Sequence, residues 1–331
     1  MRRLSIAVAA LAVLAAALYL TAGPPAPLPP PPSGAFTFAV LGDTPYYPWE
    51  RWRYRLVRQD LDQHNLAFVI HVGDIFWQPC SDDRMRQALD EMNALRHPVI
   101  YTPGDNEWTD CWEPRVGGYA PLERLATLRR LFFADPSSSV GGRRIALDAQ
   151  STRAGFEELV EHARWTHGQV VFATFNLPGS RNAMDPFPAR AREDDEAAAR
   201  RTTATVAWLR ETFARARATG APALVLAFHA NPDFEGGPSD EYRQAYAPFV
   251  DALEEEAAAF PRPILLLHGD DHEFVVDRPL VRHATGQPLA HVTRMQVPGS
   301  PDVGWVRVEV QPGEPALFGF QSRISWSLKY W

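Results

Sequence analysis

The sequence predicts an α/β protein, and three observations carry the prediction. Short β-branched and aromatic runs alternate with amphipathic helical stretches from residue 36 to residue 267, the pattern of buried parallel strands joined by helical crossovers. Beyond residue 290 the chain reads as strands without helices. The composition is globular: 331 residues, 46% apolar and 22% charged, which excludes a disordered, collagen-like or coiled-coil chain. A chain of this length buries a core without needing cross-links.

In chain order, Arg2 and Arg3 precede an apolar run over residues 4–20 that ends in small residues. Residues 1–23 therefore read as a secretory signal peptide or a retained N-terminal anchor. Either one sends the protein out of the cytoplasm, as a periplasmic or secreted chain whose membrane contact is through that segment alone. Residues 24–34 are a Pro-rich linker, read as an extended spacer without a core of its own. Residues 35–331 are then a single domain. Cys80 and Cys111, the two cysteines of the chain, lie in the exported part and are expected to form a disulfide.

Within the domain, strands are expected over residues 36–41, 66–70, 98–102, 170–175, 223–228 and 264–267, followed by strands over 292–297, 305–310 and 316–320. Trp52, Leu56 and Leu61 mark a helix after the first strand, and Met85, Ala88, Met92 and Leu95 mark one after the second. Leu122, Leu125, Leu128 and Phe132 mark the next; longer helices are expected over 194–218 and 241–258.

Ligands in such folds collect at the carboxyl ends of strands, and five strand ends here deliver polar groups: Asp43, Asp74, Asp105-Asn106, His229, and Asp270 with His272. Carboxylates and imidazoles gathered at one sheet edge are costly unless something neutralises them. A single Gly-Asp after a strand is an ordinary turn. Three of them, with His229 and Gly269-Asp270-Asp271-His272, point to one or two divalent metal ions. Mixed carboxylate and imidazole donors suit Mn, Fe or Zn better than Mg or Ca.

The order of these blocks resembles the calcineurin-like metallophosphoesterase superfamily, whose motifs run GDxH, GD, GNH(E/D), H and GHxH. Gly42-Asp43-Thr44-Pro45, Gly73-Asp74, Gly104-Asp105-Asn106-Glu107, His229 and Gly269-Asp270-Asp271-His272 take the five places. The resemblance implies a four-layer α/β/β/α sandwich. It also implies hydrolysis of a phosphorylated small molecule by metal-activated water, with Asp74 shared between two metals. Asp43 and His272 would stand on one side, and Asp105, His229 and Asp270 on the other.

Three letters depart from the pattern. Pro45 stands where the family has a metal-binding His, so the first position is left with Asp43, Asp74 and His272 unless a neighbour fills it. Asp270 replaces a His but can still ligate. Asn106 replaces the His that assists the phosphoryl group, where it can donate a hydrogen bond but cannot deliver a proton; alternatively the register slips by one and Asn106 is the amide ligand. His268 is then the candidate proton donor, and Arg181 and Asn182 are candidate phosphate contacts. A rival reading is a metal- or phospho-ligand-binding module that keeps the fold and has lost turnover. With a net charge of −7, nucleic acid is not an expected partner.

Overall fold

Strand parity sorts the apolar residues into three layers, and those layers define the architecture. In β1 (Phe36–Leu41), Phe38 and Val40 belong to one buried cluster while Ala39 and Leu41 belong to another. In β8 (Leu224–Ala227) and β9 (Ile264–His268), Val225, Leu265 and Leu267 share the cluster of Phe38. Their neighbours Leu224, Leu226, Ile264 and Leu266 face a third cluster. Successive side chains of a strand point to opposite faces, so strands apolar on both faces must be covered on both.

The computed structural model describes residues 23–326 apart from 238, 283–284 and 315–316. The signal or anchor segment, Gly23 excepted, lies outside the described residues. Among the described residues, no helix is long and apolar enough to cross a membrane.

Two sheets stack face to face. The first has six strands, in the order β15 (Phe318–Trp326), β14 (Val303–Val310), β1, β2 (Val69–His71), β3 (Pro98–Tyr101), β4 (Val140–Gly141). The second has seven: β10 (Val275–Asp277), β13 (Val292–Gln296), β9, β8, β7 (Val170–Thr174), β6 (Ala163–His167), β5 (Asp148–Ala149). The centre of each sheet is parallel, β1 to β2 to β3 in the first and β7 to β8 to β9 to β13 in the second. Phe38, Phe68 and Phe172 fill the space between the sheets, with ring centroids 5.1–5.5 Å apart.

Helices α1 (Pro48–Gln63), α2 (Asp82–Asn93) and α3 (Pro121–Phe132) cover the outer face of the first sheet through Tyr54, Val57, Leu61, Met85, Met92 and Leu128. Proline opens α1 and α3, where its missing N–H has no intrahelical partner to lose. Helices α4 (Arg192–Thr219) and α5 (Glu241–Ala258) cover the second sheet through Trp208, Phe213, Tyr246, Phe249 and Leu253. The result is the α/β/β/α sandwich.

Three differences from the expected elements have physical causes. β6 has no counterpart among the expected strands, because Arg164, Thr166 and His167 break its apolar pattern; it pairs with β7 through a tight turn at Gly168 and Gln169, both with positive φ. The last two strands are longer than expected, since β14 and β15 pair with each other along their whole length. The Pro-rich segment has no helix or strand, as proline dictates, yet it is fastened to the domain. Leu28 N–H donates to His64 Nε2 (2.9 Å), and Arg307 and Arg323 donate to the carbonyls of Pro29 (2.8 Å) and Ala26 (3.0 Å).

Candidate metal centre

Parallel register places the candidate donors at one edge of the sandwich. Leu41, His71 and Tyr101 are paired across β1, β2 and β3, so Asp43, Asp74 and Asp105 leave the same sheet end. Ala227 pairs with Leu267 across β8 and β9, which brings His229, Asp270 and His272 to that end of the second sheet. Asp43, Asp74, Asp270 and His272 all have φ between 55° and 79°. That left-handed conformation is strained for a residue with a Cβ and is typical of functional loops. Gly104 permits the closest approach: a Cβ there would lie 2.0 Å from Asp74 Oδ1.

The donors fall into two overlapping sets, each with ligand atoms within 4.8 Å of one another: Asp43, Asp74 and His272, and Asp74, Asp105 and His229. Asp74 belongs to both. Asp270 joins them through His229, Oδ1 to Nε2 3.5 Å. Its other oxygen accepts from Asn231 N–H (3.2 Å) and Tyr242 Oη–H (3.3 Å).

Both histidines are turned for ligation. His229 Nδ1 is 2.8 Å from the Val72 carbonyl and His272 Nδ1 is 2.8 Å from the Ser300 carbonyl. A carbonyl only accepts, so each Nδ1 carries a proton and each Nε2 is the nitrogen turned towards the site for ligation. His229 Nε2 and Asp43 Oδ2 are buried without a hydrogen-bond partner. Unpartnered buried polar atoms are costly, and a cation within reach of both removes that cost. The donor set therefore fits a divalent metal.

Electrostatics agree. Burial pushes the Asp43 carboxyl up to about 6 against the pull of His229 and His272, and burial also holds Asp74 well above the usual carboxylate range. Burial works against a charge on His229, but Asp74, Asp105 and Asp270 outweigh it and raise its pKa well above ordinary. Without metal, protons thus take the place of the cation, and metal binding must displace them.

A cavity of about 580 Å³ opens over the donors, lined by Tyr46, Tyr47, Trp77, Asn106, Asp110, Ser300 and Pro301 beside the ligand carboxylates and His272. Asn106 is tied to Asp74: its backbone N–H donates to Oδ1 (3.1 Å) and its side-chain amide to Oδ2 (2.5 Å). A larger cavity, about 970 Å³, lies beside β5 and β6. Among the charged residues that line it, Asp148, Arg153, Arg164 and Glu211 are engaged with one another.

Three expected site residues join neither the donor sets nor the cavity lining. His268 is fully buried, stacked on Phe228 at 5.8 Å, and its pKa is pushed down to about 3 by burial. It is therefore not placed to donate a proton to a substrate. Asn182 is buried, its amide bound to Thr202 and the Ala245 carbonyl and its oxygen to Arg201. Arg181 is paired with Asp185 and Glu241 on the surface. Residues 180–183 run through four consecutive left-handed conformations, and this turn directs Gly179 and Ser180, rather than Arg181, at the site. Ser180 Oγ–H reaches Asp105 Oδ2 (3.0 Å) and Asp110 Oδ1 (2.6 Å). Tyr46, Asp110, Ser180 and Ser300 join the site without having been expected there; Tyr46 alone had a signal, directly following the first block.

The two cysteines form the expected disulfide, with both sulfurs buried and 3.2 and 3.4 Å from the Asn106 carbonyl oxygen. The bridge joins the loops that leave β2 and β3, the strands bearing Asp74 and Asp105. Replacing both cysteines by Ser is expected to lower stability by roughly 3–4 kcal/mol, the chain-entropy value for a span of this length. Urea unfolding measures it, and a change below about 1 kcal/mol would show that the bridge constrains little.

A family model for the calcineurin-like phosphoesterases matches residues 36–274. Among solved structures the chain is similar in fold to PhoD, with a TM-score of 0.54 and 13% identity over 91% of this chain and 70% of that one. It also aligns with the 5'-nucleotidase from Candida albicans SC5314 (TM-score 0.45, 11% identity, 93% of this chain and 54% of that one). A further alignment is to the phosphopantetheinyl hydrolase from Mycobacterium tuberculosis (TM-score 0.40, 16% identity, 80% of this chain and 90% of that one). No curated protein matches in sequence.

Proposed function

The chain belongs to the calcineurin-like phosphoesterase family, and from that premise we propose that it is an exported, metal-dependent hydrolase of phosphoester bonds in small molecules. The observation that carries the reading is the pair of donor sets sharing Asp74, with both histidines presenting Nε2. Divalent metals held by Asp43, Asp74 and His272 and by Asp74, Asp105, His229 and Asp270 supply Lewis-acid polarisation of a phosphoryl oxygen and a water of lowered pKa.

The chain's own residues hold the donors and shape the pocket. The described residues that line it include no Arg or Lys, so phosphate affinity depends on the loaded donor sets. Asn106 keeps one amide hydrogen on Asp74 and has a second for a phosphoryl oxygen. Asp110 is the carboxyl that lines the pocket outside the candidate ligands, and it takes the place sequence reasoning gave to His268. Export is supported by the basic and apolar N-terminal segment and by a disulfide, which persists in oxidising compartments.

A second reading, a binding module without turnover, is favoured by one observation: the Asn106 side chain is committed to a ligand carboxylate and transfers no proton. Metal analysis with a screen of phosphomonoesters and phosphodiesters in added Mn²⁺ separates the two. Metal-dependent hydrolysis of either class is expected. Retained metal without hydrolysis supports the binding module, and a metal-free, inactive protein defeats the hydrolase.

A further inference from the structure

The cavity over the donors has a charged floor and an aromatic wall. Tyr47 and Trp77 both line it. Each is delivered by a loop that also carries a donor, four residues after Asp43 and three after Asp74, so the wall stands beside the candidate centre. The two rings meet at a steep angle, centroids 5.5 Å apart and planes 67° apart, and form a corner.

Neighbours hold that corner in place. Trp49 stacks on the Tyr47 ring almost in parallel, centroids 4.5 Å and planes 4° apart, and the Arg115 guanidinium lies over the Trp77 ring at 5.3 Å. Glu50, fully buried at the start of α1, accepts the backbone N–H groups of Tyr46 (2.7 Å) and Tyr47 (3.3 Å) through Oε2 and the Ser300 Oγ–H (2.7 Å) through Oε1. A wall set before the ligand arrives lowers the ordering cost of binding against it. Trp49 itself is 56% exposed, so the stack continues from the cavity out to solvent.

The charges narrow what the wall can take. The described lining carries no Arg or Lys, and Arg115 is already paired with Glu113, so an anionic organic group finds no free partner there. A phosphoryl group belongs with the loaded donors, and what extends from it meets the corner of Tyr47 and Trp77. Aromatic rings packed offset or edge-on gain beyond the area they bury, by about 3–10-fold in binding; a saturated ring of the same size gains only the area.

We propose that Tyr47 and Trp77 are specificity-determining residues, the subsite for a flat aromatic group on the organic part of the substrate. The substrate class is then a phosphoester of an alcohol that carries such a ring. This rests on the reading of the centre as a phosphoester hydrolase.

The test compares benzyl phosphate with cyclohexylmethyl phosphate, each as the monoester and as the methyl diester, on the full chain in Mn²⁺. The two alcohols are of similar size and their alkoxides leave with similar ease, so the ratio of kcat/KM values isolates the flat ring. Wild type is expected to favour the benzyl ester about 3–10-fold, chiefly through KM. Tyr47→Leu and Trp77→Leu should each lower the ratio, and Tyr47→Phe, which keeps the ring, should keep it. A loss of folded protein lowers both rates alike and does not move the ratio. Equal kcat/KM values in the wild type, or a ratio unchanged in both leucine variants, overturn the subsite and leave the hydrolase standing. Hydrolysis of other phosphoesters but none of these four does the same, and a chain that hydrolyses no phosphoester overturns the subsite together with the proposed function.

Discussion

Asp74→Asn is expected to lower metal-dependent turnover by about 10²–10³-fold, the order of effect that removal of one preorganised electrostatic group produces. Asp74 is the carboxylate common to both donor sets, so one substitution weakens two positions. The amide is nearly isosteric, and its oxygen can still accept the N–H groups of Asp105 and Asn106, which now meet Oδ1 at 3.1 Å each. What it loses is the charge, and the acceptor for the Asn106 amide and the Tyr46 hydroxyl.

Fold stability should therefore respond differently with and without metal. In chelator, burial already penalises the Asp74 charge, so the variant should melt within about 1 kcal/mol of wild type, the net worth of a hydrogen bond. With Mn²⁺ at about 100 times its dissociation constant, wild type should gain about 2.7 kcal/mol per site and the variant almost nothing. Metal analysis and paired melting curves read both. A variant that keeps its metal, or that falls apart equally in chelator, would show Asp74 to be a packing residue.

Most of the centre was legible because strand ends are legible. A buried strand announces itself by apolar runs, and parallel strands deliver their next polar residues to one edge, so Asp43, Asp74, Asp105, His229, Asp270 and His272 could be named from order alone. His268 shows the same rule applied too loosely. Alternation along β9 puts it on the face of Ile264 and Leu266, the helix side, where it stacks on Phe228. Period-two parity, carried one residue further, already excludes it from the cavity.

Arg181 and Asn182 miss the site for a different reason. Four successive left-handed residues of ordinary type have no local signature, because L-residues avoid that conformation singly. Contacts distant in sequence, such as Arg201 on the Asn182 carbonyl (2.5 Å), help to hold the turn. Ser300 and Glu50, 250 positions apart, were equally beyond local pattern.

Raising the pH from about 5 to about 7.5 is expected to widen the stability gap between the metal-loaded and the metal-free protein. Burial lifts Asp43 to about 6, and burial with the neighbouring Asp105 charge lifts Asp110 to about 7. Asp74 and His229 are also raised. A group whose folded pKa exceeds its unfolded value binds protons more tightly in the folded state, so its contribution is full below the unfolded value. It is lost as pH climbs through the folded one, at about 1.4 kcal/mol for each pH unit that separates the two.

For Asp43 that window runs from about 4 to about 6, and for Asp110 from about 4 to about 7. Asp105 runs the other way, because contacts with His229 and Ser180 outweigh its burial and keep it low, and its contribution fades only in acid. Burial pushes the imidazoles of His71, His162 and His268 down to about 3, 4 and 3, so they add stability as pH rises towards about 6.5, with and without metal alike; the Arg-paired carboxylates Asp148 and Glu161 are depressed and act only below the window.

A cation reverses the sign, since it binds the ionised carboxylates and neutral imidazoles and competes with their protons. The gap between the melting temperatures in saturating Mn²⁺ and in chelator should therefore widen steadily with pH, because the histidines away from the centre move both curves alike. Parallel curves would mean that the protons and the metal do not compete for the same atoms, and the donor assignment would fail with them.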